Sequence, residues 1–294
     1  MLQVLFRIPY LGLPIFGYGL MLFFAFLGSM HLAGWRARRE GLDRDLIFDV
    51  ALWIFAGGIL GARGFYVAQY WGTRIHNLWE AIKFWEGGIV LYGSILGGAI
   101  GFFVYRALRP FPLRPYLDCI APSVALGIAV GRIGCFLNGC CFGDLCDIPG
   151  LGVRFPAHSA PWEQHRALGL ITADAARSLP VHPTQLYSAL DGFMLLAVLS
   201  AYYPLRRRDG EVMGLLMVLY PISRFLIEYL RNDEGAFFAG MTISQNISIL
   251  SLVGALAYWL WLTTLPTGLT KDGSSPPSGS EGKPVPSSSS SATA

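Results

Sequence analysis

Seven runs of mostly apolar residues, near 14 to 35, 46 to 70, 88 to 108, 117 to 137, 185 to 205, 211 to 230 and 242 to 263, succeed one another along the chain. Each approaches the roughly 20 residues that a helix needs to cross a hydrocarbon core of about 30 Å. The fourth run is interrupted by Pro122, Gly127, Gly131 and Gly134, which membrane helices tolerate better than soluble ones. Arginines collect in alternate connections: Arg36, Arg38, Arg39 and Arg44 after the first run, Arg106, Arg109 and Arg114 after the third, Arg206, Arg207 and Arg208 after the fifth. Positive residues mark cytoplasmic loops, so the amino terminus is expected outside and the carboxy terminus in the cytoplasm. The pattern predicts an all-α integral membrane protein of seven transmembrane helices, with a periplasmic insertion, residues 138 to 184, between spans four and five.

Composition agrees with this reading. With 53% hydrophobic and 14% charged residues and a mean hydropathy of +0.48, the chain is too apolar for an ordinary soluble domain. The net charge of +3 comes from loop arginines, so it gives no reason to expect a nucleic acid partner. The first run has only Arg7 ahead of it and an arginine cluster behind it, so it is expected to stay as a span rather than be cleaved as a signal peptide. Residues 1–265 form the expected membrane domain. Residues 266–294, rich in Ser, Pro and Gly, are expected to be a disordered cytoplasmic tail, because such a composition cannot bury a core.

Within this topology the unusual residues share a depth. Counted from residues 46, 117 and 211, Arg63, Arg132 and Arg224 lie 17, 15 and 13 positions along, or roughly 20 to 25 Å at about 1.5 Å per residue. That places all three in the outer half, together with Tyr18, Tyr92, His182 and Gln185. Charges at such depth are costly, and an arginine fork matches phosphate oxygens, so a lipid phosphate is the leading ligand. The competing account is internal pairing. Glu228 lies four residues after Arg224 and three before Arg231, which stacks the three on one helical face.

Other residues have plainer readings. Tyr70, Trp71, Trp79 and Trp85 suit an interfacial belt. Asp49 and Asp118 fall near cytoplasmic ends within reach of water, whereas Asp191 is deeper and is expected to pair with an arginine. Four of the five cysteines, Cys135, Cys140, Cys141 and Cys146, crowd the stretch after span four. A disulfide from Cys135 or Cys140 to Cys146, a metal site and buried small residues are all compatible with that spacing, although adjacent Cys140 and Cys141 are poorly placed to bond each other.

The sequence GRIGCFLNGCCFG at 131 to 143 resembles the signature of the prolipoprotein diacylglyceryl transferases of bacterial inner membranes, GRIGNF followed by NGE. GARGFY at 61 to 66, EGGIVLYGSILGG at 86 to 98, HPTQLY at 182 to 187 and SRFLIEYLRND at 223 to 233 extend the resemblance, in the family's order. It implies seven spans with an exterior amino terminus and a multi-pass protein of the bacterial inner membrane. It also implies transfer of the diacylglyceryl group of phosphatidylglycerol to the lipobox cysteine thiol of a prolipoprotein, forming a thioether and releasing glycerol 1-phosphate. The implied partners are phosphatidylglycerol and prolipoprotein signal peptides, and no metal or organic cofactor is implied.

Carried over by position, Arg132 is similar to the signature arginine that binds the headgroup, and Arg224 to the second essential arginine near the leaving phosphate. Tyr18 is similar to the tyrosine of the first span, Asn138 and Gly139 to the Asn-Gly pair, and Gly143 to the glycine closing the motif. Arg63, Glu228 and His182 complete the expected substrate-binding set. Three positions depart from the pattern. Tyr92 stands where the family has a histidine proposed as base toward the thiol, and a tyrosine with a reference pKa near 10 is a poor base at neutral pH. Cys135 and Cys140 replace the signature asparagine and glutamate. Two readings follow: an enzyme in which arginines and Tyr92 serve the chemistry, with Arg224, Tyr92 and Arg132 catalytic, or a phospholipid-binding membrane paralogue with altered or lost transferase activity.

Overall fold

The computed structural model describes residues 4–7, 14–72, 75, 77–83, 88, 90–231 and 238–269. A short antiparallel hairpin of β1 (Val4–Arg7) and β2 (Pro14–Phe16) comes first, an addition to the expected all-helical chain. Every longer element is helical: α1 (Gly17–Arg39), α2 (Arg44–Tyr70), α3 (Leu78–Ile82), α4 (Leu91–Leu108), α5 (Leu113–Asn138), α6 (Ala160–Ala167), α7 (Thr184–Tyr202), α8 (Glu211–Glu228) and α9 (Ile243–Thr264). Five of these, α1, α2, α5, α7 with its continuation to Leu205, and α9, are long and apolar enough to cross a membrane. The two remaining expected spans are α4 and α8. The apolar described part of α4 is only Gly93–Leu108, and α8 carries Glu211, Arg224 and Glu228 within its 18 residues.

The packing is that of a protein whose solvent is lipid. Leu60 and Leu250 are each 73% exposed, an arrangement water would penalise and hydrocarbon does not. Small residues lie inside, where Ala37, Ala121, Ala125 and Ala129 are fully buried and allow helix axes to approach. Between α2 and α4 the approach is closest. A Cβ built on Gly61 would fall 2.7 Å from the Gly97 Cα, and one on Gly97 would fall 2.8 Å from the Gly61 Cα, so the two backbones touch directly. Pro122 does not divide α5, which continues over 26 residues.

The two ends of the bundle differ in chemistry. At one end the arginine-rich connections are knitted together: Arg109 pairs with Asp43 at 2.7 Å and Arg206 with Glu40 at 2.7 Å, while Arg36 donates to Ser200 Oγ at 2.8 Å. Asp118 is wholly buried there, contrary to the expectation that water reaches it. Its carboxylate accepts from the backbone N–H groups of Gly210, Val212 and Met213 at 2.7, 2.9 and 3.1 Å. A side chain of α5 thus caps the first turn of α8, whose free N–H groups have no partner in their own helix. Asp191 pairs with a hydroxyl rather than an arginine, accepting from Ser223 Oγ at 2.8 Å. The expected boundary at 265 falls beside ordered contacts, since the Gly268 N–H donates to Arg207 O at 3.1 Å. The tail from 270 onward lies outside the described residues, as does Trp85.

Candidate active site

At the opposite end lie Tyr18, Arg63, Arg132, His182 and Arg224, together with the 139–183 connection and the start of α9. The three deep arginines turn out to be in three different situations. Arg63 donates from Nε to Ala81 O at 2.8 Å, from Nη2 to Glu80 O at 2.5 Å and from Nη1 to Gly88 O at 3.1 Å. It ties the end of α3 and the following chain to α2, a cation at the carbonyl end of a helix. Arg224 pairs with Glu228, one turn along α8, and donates to Ser244 Oγ at 3.0 Å. Glu228, 2% exposed, also meets Arg231 at 3.8 Å and accepts from Thr242 Oγ1 at 3.1 Å. The stacked pairing legible in the spacing of 224, 228 and 231 is therefore present, and α9 joins it through its first turn.

Arg132 differs from both. Its side chain is half-buried, and among the described residues it has neither a hydrogen bond nor an ion pair within the protein. A Cβ built on the adjacent Gly131 would meet nothing within 4 Å, so open space adjoins this turn of α5. Tyr18, at the start of α1, is 38% exposed and stands within electrostatic reach of Arg132 and of Cys135, Cys140 and Cys141. Tyr92 belongs to the first turn of α4, and its side chain lies outside the described residues.

The Asn-Gly pair ends α5. Gly139 adopts φ +77°, its N–H donates to Phe136 O at 3.2 Å, and the Cys140 N–H donates to Cys135 O at 3.2 Å. This is the left-handed stop that glycine makes possible at a helix end, and it folds Cys140 back over Cys135. Cys141 is itself at φ +57°, a conformation that costs a side-chain-bearing residue energy. The Sγ atoms of Cys135, Cys140 and Cys141 come within 4.8 Å of one another. Hydrogen bonds from the Cys135 and Cys141 thiols, reinforced by Asn138, hold the Cys140 thiol below its ordinary range. Cys146 lies apart and buried, its thiol directed to Ile148 O, so the expected partner for a disulfide is elsewhere and all five cysteines are free.

Two site residues have packing duties. Gly143 donates its N–H to His182 O at 2.9 Å, and a Cβ there would lie 2.8 Å from both His182 Cβ and Thr184 Cγ2. His182 contributes its ring to a 3.3 Å contact between Nδ1 and Tyr187 Oη. Thr242 and Ser244 were not singled out in the sequence, although Thr242 with Gln245 forms a capping box, a spacing that marks a helix start. A predominantly apolar cleft of about 440 Å³ opens between α5, α8 and α9, lined by Val124, Ile128, Leu216, Tyr220, Pro221 and Gly254 among others. Ile128 and Tyr220 precede Arg132 and Arg224 by four residues each, or about 6 Å along each helix.

Fold and site together define a helical membrane protein whose candidate site residues gather at one end, beside an apolar cleft. The chain belongs to the prolipoprotein diacylglyceryl transferase family, whose model matches residues 3–261. It is 34% identical over 242 residues to a phosphatidylglycerol–prolipoprotein diacylglyceryl transferase of Clostridium tetani, covering 82% of this chain and 91% of the relative. A second such transferase, from Clostridium perfringens, is 31% identical over 83% of this chain and 90% of its own length.

Proposed function

We propose that the chain is a phosphatidylglycerol–prolipoprotein diacylglyceryl transferase, carrying out the first step of lipoprotein maturation in the bacterial inner membrane. The single observation that carries the lipid site is Arg132: a half-buried arginine with no hydrogen bond or ion pair among the described residues, on a turn of α5 that adjoins open space at Gly131, in a chain of this family. A permanently charged fork in that state is suited to two phosphate oxygens. The cleft about one turn away between α5, α8 and α9 offers apolar walls for acyl chains of the lipid held there.

In the reaction the acceptor thiolate attacks the terminal glyceryl carbon bearing the phosphate ester. The sulfur–carbon bond forms as the carbon–oxygen bond breaks, and the electron pair leaves with glycerol 1-phosphate. Arg132 binds the headgroup and offsets the charge that develops on the departing phosphate, which is where electrostatic catalysis acts. Arg224 supplies the second cation, oriented by Glu228 and Ser244. Tyr18, Asn138 and Gly139 line the approach, and His182 and Gly143 support it from the connection to α7. Tyr92 orients the thiol or relays its proton. Seven spans with an exterior amino terminus put this site in the outer leaflet, supported by the arginine-rich connections gathered at the opposite end.

The test is restoration of lipoprotein modification in cells depleted of their own transferase, scored by the mobility shift of a reporter prolipoprotein. The well-expressed chain restores it, and Arg132→Ala and Arg224→Ala do not. Failure of the wild-type chain, equally expressed, would leave the phospholipid-binding paralogue as the function.

A further inference from the structure

The cluster of Cys135, Cys140 and Cys141 takes no part in the transfer steps proposed above. Backbone turns and the start of α7 build it together. The left-handed stop at Gly139 returns Cys140 to Cys135, and the positive φ of Cys141 brings the third thiol to the same point. The first turn of α7 then fixes the loop from the other side: Thr184 Oγ1 donates to Cys141 O at 2.8 Å and Gln185 Nε2 donates to Cys140 O at 2.8 Å. Finally, Gln185 is wholly buried, and its Oε1 accepts no hydrogen bond among the described residues. An unfilled acceptor in the same amide that holds Cys140 is suited to an O–H or S–H donor brought to the cluster.

We infer that Cys135, Cys140 and Cys141 form a three-thiolate zinc site whose open fourth position receives the acceptor thiol. Zinc–sulfur bonds of about 2.3 Å in a tetrahedral arrangement require sulfurs about 3.8 Å apart, so sulfurs already within 4.8 Å need to close by about 1 Å or less. No histidine or carboxylate joins the three sulfurs among the described residues, and three protein ligands with one open position is the arrangement of a reactive rather than a structural zinc site. Three thiolates leave the ion with one net negative charge, and Arg132 and Tyr18 stand alongside.

The role of the ion rests on the transferase reading above. Binding of the incoming cysteine sulfur displaces its proton to water and keeps the sulfur as a thiolate. That sulfur's electron pair forms the bond to the glyceryl carbon while the bond to the phosphate oxygen breaks, with no change of oxidation state. The product thioether carries no charge and is a weak ligand, so it leaves the fourth position free for the next thiol.

Metal analysis of the full chain, purified in detergent under reducing conditions, tests the site, and transfer assays with and without a zinc chelator test the role. We expect about one zinc per chain, retained in Cys146→Ser and reduced at least tenfold in Cys135→Ser and Cys140→Ser, each checked for an unchanged elution profile. Cobalt substitution is expected to give thiolate-to-cobalt absorption that the same two variants lose. Chelation is expected to lower transfer at least tenfold and added zinc to restore it. Metal-free protein with undiminished transfer overturns the inference and leaves the transferase reading standing. A disulfide among the three cysteines in the freshly reduced protein, or equal zinc in wild type and Cys140→Ser, overturns it too. A chain that transfers nothing with or without zinc sinks the transferase reading instead, and zinc stoichiometry then decides the site alone.

Discussion

Arg132 and Arg224 look alike in the sequence, each a lone cation deep in an apolar run, and the structure separates them by what they touch. Removing Arg224 strands Glu228, which is 2% exposed, and breaking a buried pair costs about 3 kcal/mol or more when no other partner remains. Arg231 and Thr242 still reach Glu228, so Arg224→Ala is expected to destabilise the chain by about 2 kcal/mol, recovered largely in the double variant with Glu228→Gln, as read by thermal unfolding in detergent. Arg132→Ala should leave the unfolding midpoint within about a degree of wild type while abolishing transfer, because surface-like positions without protein partners alter stability by less than about 0.5 kcal/mol. A large drop in midpoint for Arg132→Ala would show a structural duty that its surroundings do not reveal. Spacing alone exposed the Glu228 pairing, since residues four apart meet on any helix. It could not expose the bonds from Arg63 to the backbone carbonyls of a separate short helix; no side-chain pattern encodes them.

At the scale of elements, the apolar runs located α1, α2, α4, α5, α7, α8 and α9 to within a few residues, and five of these have the length and composition that hydrocarbon thickness asks of a spanning helix. The hairpin and the short helices α3 and α6 were not foreseen, since each is too brief to carry a period. The α2–α4 contact was also hidden: glycines announce a close approach but not the helix approached. Gly61→Ala is expected to lower stability by about 1 to 3 kcal/mol through overpacking against α4, whereas Gly64→Ala, with nothing within 4 Å of its Cβ, should be neutral or slightly stabilising. Comparable midpoints for the two would refute the direct backbone contact. In the 139–183 connection, burial lowers the His165 pKa, and its Nδ1 accepts from the Leu179 N–H at 3.2 Å, which needs a neutral ring. The unfolded connection therefore takes up a proton first, near pH 6.5. The stabilisation is present above that pH and is lost as pH falls toward the lower folded value. Hydrogen-exchange protection across 139–183, taken relative to the intrinsic rate at each pH, should fall between pH 7 and pH 5, and His165→Gln should flatten the dependence.

For the whole molecule, the division into a charged, cross-braced end and an end of half-buried cations and thiols follows from the sequence once loop arginines are counted, and the proposed orientation predicts which side each reagent meets. A cysteine placed at the exposed Arg154 is expected to react with a membrane-impermeant maleimide on cells whose inner membrane is intact, and one at the exposed Arg207 only after that membrane is permeabilised. The reverse pattern would invert the orientation. Against this background the Asp118 cap on α8 bears on assembly during synthesis. α5 emerges from the ribosome before α8, so the acceptor for the first N–H groups of α8 is already embedded when they arrive. The first turn of α8 therefore finds its acceptor waiting, so its N–H groups need not stay unpaired until α9 has been made.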